Sequence, residues 1–143
     1  ESAAALAAQY PTPAEVAERA SGDAAVAARA VVEAQCACLS GDSAAVGFAG
    51  TRAAFAFNSA ANRARLGGVE NFVSIVRSSA FNAFHDPDQA VKVGEASVAA
   101  GGSAASVPVQ VGDASFEFDV ARDGEAWATD GVRVAECGRA PCQ

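Results

Sequence analysis

The 143-residue chain has no methionine, one lysine, one histidine, one tryptophan and one tyrosine, and each scarcity excludes something. Lys92 is the sole lysine, ten cations face 17 acidic residues, and the formal net charge is −7. Nucleic-acid binding needs Lys and Arg grouped to meet phosphates, and nothing groups here beyond Arg63 and Arg65. Long apolar runs are missing too. Serine, glycine or a charge interrupts every stretch before the roughly 18–20 residues that a membrane span requires. There is no nucleophile-elbow sequence. The Gly67–Gly68 pair follows a helical stretch rather than a strand, which removes the phosphate-loop reading. No metal-ligand or cofactor motif is present, and no catalytic set rises above background.

What remains describes one acidic domain with a single core, since 143 residues are too few for two. The chain starts at Glu1 without methionine, so this is either a processed N-terminus or the start of a fragment, and processing by removal of a targeting segment is the favoured expectation. Cys36 and Cys38 fall on a helical stretch, and Cys137 and Cys142 in the closing "CGRAPCQ". Two positions apart on a helix diverge by about 200°, so Cys36 and Cys38 do not pair with each other. Three states stay open: helix-to-tail or local disulfides in an oxidising compartment, a four-cysteine zinc site, and free thiols. Disulfides are the favoured state, because a helix-to-tail bridge closing about 100 residues contributes roughly 4–5 kcal/mol on the chain-entropy view.

The pattern divides the chain into an N-terminal arm (1–12), a single domain (13–135) and a cysteine-containing tail (136–143). "TPAE" at 12–15 carries a capping box with proline at the first helical position. Asp23 caps a second helix running to about Leu39, apolar around so much of its circumference that cover on more than one side is expected. Residues 44–57 read as helical turns carrying Phe48, Phe55 and Phe57. Ser59 caps a short helix to Leu66. Val69, Phe72, Val73 and Val76 then mark a helix to Ser78 at i, i+3, i+4 and i+7. "HDPDQ" is a loop. From residue 90 the period becomes 2, with Val91/Val93, Val107/Val109/Val111, Phe116/Phe118/Val120 and Val132/Val134 separated by turn signals. Pro108 lacks a donor and belongs at an edge or beside a bulge. The expected fold class is α+β, with N-terminal helices packed on a curved antiparallel four-stranded sheet.

The segments "VVEAQ" (31–35), "AFAFNSAANRARLGGVENFVSIVRSSAFNAF" (54–84), "VPVQV" and the later "W…GVRV" strand resemble the DUF4864 family, related to NTF2-like and SnoaL-like cone folds. The resemblance covers about residues 24–135. It implies a cone with a cavity between helices and sheet and carries over no catalytic residue; such folds host enzymes, ligand binders and silent interaction modules alike.

Among individual residues, His85 flanked by Asp86 and Asp88 fits proton transfer less well than it fits a turn whose aspartates accept backbone N–H groups. Glu117 and Asp119 alternate with phenylalanines and face away from the core. Arg63, Arg65 and Arg77 read as solvated charge. Phe72, Val76, Phe84 and Trp127 are the candidates to line a pocket. The leading functional expectation is a non-enzymatic accessory or interaction subunit of a larger complex, exported or in an organelle lumen, with the arm ordering against a partner. A photosynthetic algal source, whose nuclear genomes can carry this alanine and arginine bias, makes a photosynthetic complex of the thylakoid lumen one such setting; a bacterial periplasm is the alternative. The rival is a small-molecule binder or isomerase-type enzyme using the cavity.

Overall fold

The computed structural model describes residues 10–134 except Ser21 and Glu125, with Asp123 described by its backbone alone. Most of the arm and all of the tail, including Cys137 and Cys142, lie outside the described residues. Helix α1 (Pro13–Arg19) begins with the capping box: Thr12 Oγ1 accepts from the Glu15 N–H, and Glu15 Oε1 from the Thr12 N–H. Helix α2 (Ala24–Leu39) starts where Asp23 accepts from the N–H groups of Ala25 and Val26. It buries Ala28, Val31, Val32, Gln35, Cys36, Cys38 and Leu39, and packs against α1, a helix that follows, and the sheet. The all-round apolar surface of α2 is thereby covered on several sides.

A 3-10 turn (Ala44–Val46) leads to α3 (Ala49–Phe55), whose N-cap Phe48 sits at φ 55°, a strained position for a bulky residue. Helix α4 (Ala60–Leu66) is capped by Ser59 and closed by Gly67 at φ 83°. Helix α5 (Val69–Ser78) buries Phe72, Val73 and Val76, and a 3-10 helix (Ala80–His85) follows.

The second half is an open antiparallel sheet. Its strands are β1 (Val91–Val93), β2 (Ser97–Val98), β3 (Ala104–Val111), β4 (Ala114–Asp123) and β5 (Ala126–Val134), ordered β1-β3-β4-β5 with β2 also pairing β3. Val107, Val109, Val111, Phe116, Phe118 and Val120 turn inward onto the helices. On the outer face Arg133 donates to both carboxylate oxygens of Asp119, and the Ser106 hydroxyl to Glu117. The architecture is thus α+β, helices on one face of an antiparallel sheet of four long or short strands plus the two-residue β2.

Two details refine the sequence reading. Pro108 stands inside the sheet, not on its edge. Its carbonyl accepts from the Gly94 N–H at 2.8 Å, so its donor-less nitrogen points at the break between β1 and β2, where no partner is required. Strand β5 carries one extra residue. Asp119 pairs with Gly131 but Val120 with Thr129, so Asp130 is bulged. The bulge shifts the phase of alternation. Trp127 and Thr129 face inward before it and Val132 after it; Val134, expected on the buried face, shares the phase of Val132 but is the last residue of the strand and is 56% exposed.

Candidate ligand-binding site

The bulge coincides with the place where the α3–α4 connection docks on β5. The Thr129 N–H donates to Phe57 O and the Ser59 N–H to Thr129 O, both at 2.8 Å, a short parallel bridge at Asn58. Around it lies a buried knot of neutral polar groups. The Thr129 hydroxyl donates to Gln35 Oε1 at 2.5 Å; Gln35 Nε2 donates to Ala54 O at 3.0 Å and to Asn58 Oδ1 at 3.1 Å. Asn62 Nδ2 donates to Asn58 Oδ1 at 3.2 Å and to Thr129 O at 3.3 Å. Arg65 donates to Asn62 Oδ1 and to the Asp130 carbonyl, which carries the chain of polar groups out to solvent.

Beside the knot opens a cleft of about 230 Å³. Phe72, Ile75 and Val76 of α5 and Leu66 of α4 form one wall. Phe118 and Val132 of the sheet, Leu39 of α2 and Phe81 form the other. Gln35, Asn58 and Asn62 supply its polar floor, and Arg65 stands at the rim with 59% of its side chain exposed.

Of the four residues expected to line a pocket, Phe72 and Val76 border this cleft. Phe84 does not. It is wholly buried, packed on the Phe116 ring at 5.1 Å and edge-on to Phe118. Trp127 borders a different groove, with Ala17 and Glu18 of α1, Val31 of α2 and Arg122. Sequence reasoning passed over Gln35, Asn58, Asn62 and Thr129. Asn58 and Asn62 stand four apart on either side of the Ser59 cap, the one signal available.

His85 sits elsewhere, and its partner is not a neighbouring aspartate. Asp86 Oδ1 accepts from the Asp88 N–H, the expected turn. His85 Nε2 instead meets Thr51 Oγ1 at 2.8 Å, and that hydroxyl donates to Asp42 Oδ2 at 2.7 Å. Since Thr51 uses its proton on the carboxylate, His85 carries its own on Nε2. Asp42 also accepts from the Thr51 N–H at 2.6 Å and so stands in for the side-chain cap that Phe48 cannot supply to α3. The trio is a structural clamp. The Phe48 ring stacks with the His85 ring at 5.5 Å, and the Arg77 guanidinium stands over Phe48 at 4.9 Å from its centroid. Arg77, Arg63, which donates to Asn58 O, and Arg65 are therefore engaged with the fold rather than merely solvated.

Burial lowers the His85 pKa against the opposing pull of Asp42, with Arg77 lowering it further. A histidine whose folded pKa lies below its unfolded value contributes stability that is complete above about pH 6.5 and is lost as pH falls through that value toward the folded pKa. Because the chain has one histidine, thermal unfolding scans between pH 7.5 and 5.5 should show a melting temperature that drops with pH in the wild type. The drop should be shallower in His85→Gln, whose amide can still donate to Thr51. Equal slopes in the two proteins would contradict this assignment.

Cys36 and Cys38 are buried and not bonded to each other. Burial pushes the Cys36 thiol far up, and burial followed by the Asp42 charge brings Cys38 up to about 11. As thiols both are protonated near neutrality and poor nucleophiles. Any bridge or zinc site with Cys137 and Cys142 involves residues outside those described. Among the described residues no group of three or more His, Cys, Asp or Glu side chains gathers to hold a metal ion, and no helix is long and apolar enough to cross a membrane.

The site and fold together define an α+β domain with an apolar cleft floored by neutral amides between its helices and one face of an antiparallel sheet. No family model, curated protein or solved structure matches this chain.

Proposed function

We propose that this chain is a small-molecule-binding domain that takes a compact apolar ligand into the cleft between α5 and the sheet. The observation that carries this reading is the composition of the lining: apolar and aromatic walls meeting a few convergent polar groups, the usual make-up of a ligand site. A 150 Å³ apolar cavity accommodates benzene, so about 230 Å³ suits a substituted ring or a short branched chain. Binding is favoured over isomerase-type catalysis because Arg65 is the single ionisable residue among the lining residues, and a guanidinium does not exchange protons near neutral pH. The order of helices followed by an antiparallel meander supports a cone of the NTF2-like kind, and with it the DUF4864 resemblance. The accessory-subunit reading and its exported or lumenal setting rest on the arm and the cysteine tail, most of which lies outside the described residues.

Toluene tests the cleft. A ligand that binds only the folded state at ten times its dissociation constant adds about 1.4 kcal/mol. For a domain of this size that raises the melting temperature by about 3–6 °C in scanning calorimetry. Ile75→Trp, which fills the cleft from a half-buried wall position, should remove the rise. No rise in the wild type, or the same rise in the variant, would count against the proposal.

A further inference from the structure

The orientation of the three floor amides is dictated by two atoms that can only accept. Ala54 O forces Gln35 to turn its Nε2 inward, and Thr129 O does the same for Asn62 Nδ2. The Thr129 hydroxyl on Gln35 Oε1 and the Arg65 guanidinium on Asn62 Oδ1 agree with that choice. The second hydrogen of each amide nitrogen then points at the same atom of Asn58, which must be its oxygen. Asn58 Nδ2 is left over. It is fully buried, has no hydrogen-bond partner among the described residues, and belongs to a residue, 2% exposed, that lines the cleft. Buried amide donors are nearly always matched, and an unmatched one in a residue that lines a cleft leaves an acceptor to be supplied.

We infer that the ligand is a compact apolar molecule bearing a neutral carbonyl-type oxygen, a ketone, aldehyde, ester or amide, which accepts from Asn58 Nδ2. This rests on the cleft being a ligand site. A neutral acceptor fits the floor because Gln35, Asn58 and Asn62, which line it, carry no charge, and nor does Thr129, which donates to Gln35. A carboxylate there would be desolvated without a buried counter-ion, since Arg65 is at the exposed rim with its Nη2 donating to Asn62 Oδ1 and the Asp130 carbonyl. Donors placed in this way reject analogues that lack the acceptor.

Three probes of similar size separate the alternatives: acetophenone, ethylbenzene and benzoate, each titrated into the ¹⁵N-labelled protein and followed by ¹H–¹⁵N spectra. Acetophenone should bind about three- to tenfold more tightly than ethylbenzene, the range of one net hydrogen bond, and should shift the Asn58 side-chain NH₂ pair where ethylbenzene does not. Asn58→Asp, measured at pH 8, keeps an oxygen for Gln35 and Asn62 but replaces the donor by a second oxygen. The acetophenone preference should vanish there. Should that variant not fold, the wild-type ratio and the Asn58 shift decide alone. Equal affinity for acetophenone and ethylbenzene would overturn the inference while leaving the cleft as a binding site. Tightest binding of benzoate would overturn it in favour of an anion site at Arg65. No binding by any of the three would remove the cleft reading and the inference together.

Discussion

Gly50→Ala should destabilise the protein by about 3 kcal/mol or more, at the upper end of what overpacking costs. A Cβ at this position would stand 2.0 Å from the carbonyl oxygen of Cys38, 3.2 Å from its carbonyl carbon and 3.1 Å from the Tyr10 hydroxyl. Tyr10 can rotate aside, but the Cys38 carbonyl belongs to the backbone of α2 and cannot. Gly50 has no positive φ, so the cost is of space alone. The two helices would have to part, and α3 carries both Thr51 of the His85 clamp and Ala54, whose carbonyl accepts from Gln35 of the cleft floor. Calorimetry or urea titration should find the melting temperature lower by about 10 °C. A change of under about 2 °C would mean that α2 and α3 do not meet as described.

The second large effect concerns the buried knot. Gln35→Leu should cost about 2–4 kcal/mol, because it strands the Thr129 hydroxyl, whose residue has no exposed surface, while changing side-chain volume little. Thr129→Val alone should cost about 1–3 kcal/mol, leaving Gln35 Oε1 without its donor. Removing both partners removes the stranded groups as well, so the double variant should be more stable than the sum of the singles by at least about 1 kcal/mol. Urea unfolding of the four proteins closes the cycle. Additivity within about 0.5 kcal/mol would show that the two side chains do not interact.

Much of the fold could be read before the structure, for physical reasons that differ by element. Val69, Phe72, Val73 and Val76 fell on one side of a helix because period and burial coincide there. Thr12, Glu15, Asp23 and Ser59 announced helix starts because capping is a local bond between near neighbours. Phe116, Phe118 and Val120 alternated because β4 has one dry face. The extra residue in β5 was not legible, since a bulge at Asp130 is decided by how Thr129 docks on the Asn58 segment. The cleft floor was hidden for a related reason. Gln35, Asn58, Asn62 and Thr129 carry no charge, no periodicity and no motif, and they acquire meaning only when the chain brings them together. His85 was conspicuous by being alone, yet its role depends on Thr51 and Asp42, which no spacing rule connects to it.

The bond between Gln35 and Thr129 joins residues 94 apart in sequence. A floor drawn from the second helix and the α3–α4 segment and bonded to the last strand does not exist in any form of the chain that has lost one of them. Occupancy of the cleft is consequently a gauge of complete folding, and a bound molecule should slow amide hydrogen exchange across α2, α3 and β5 alike rather than around the cleft alone.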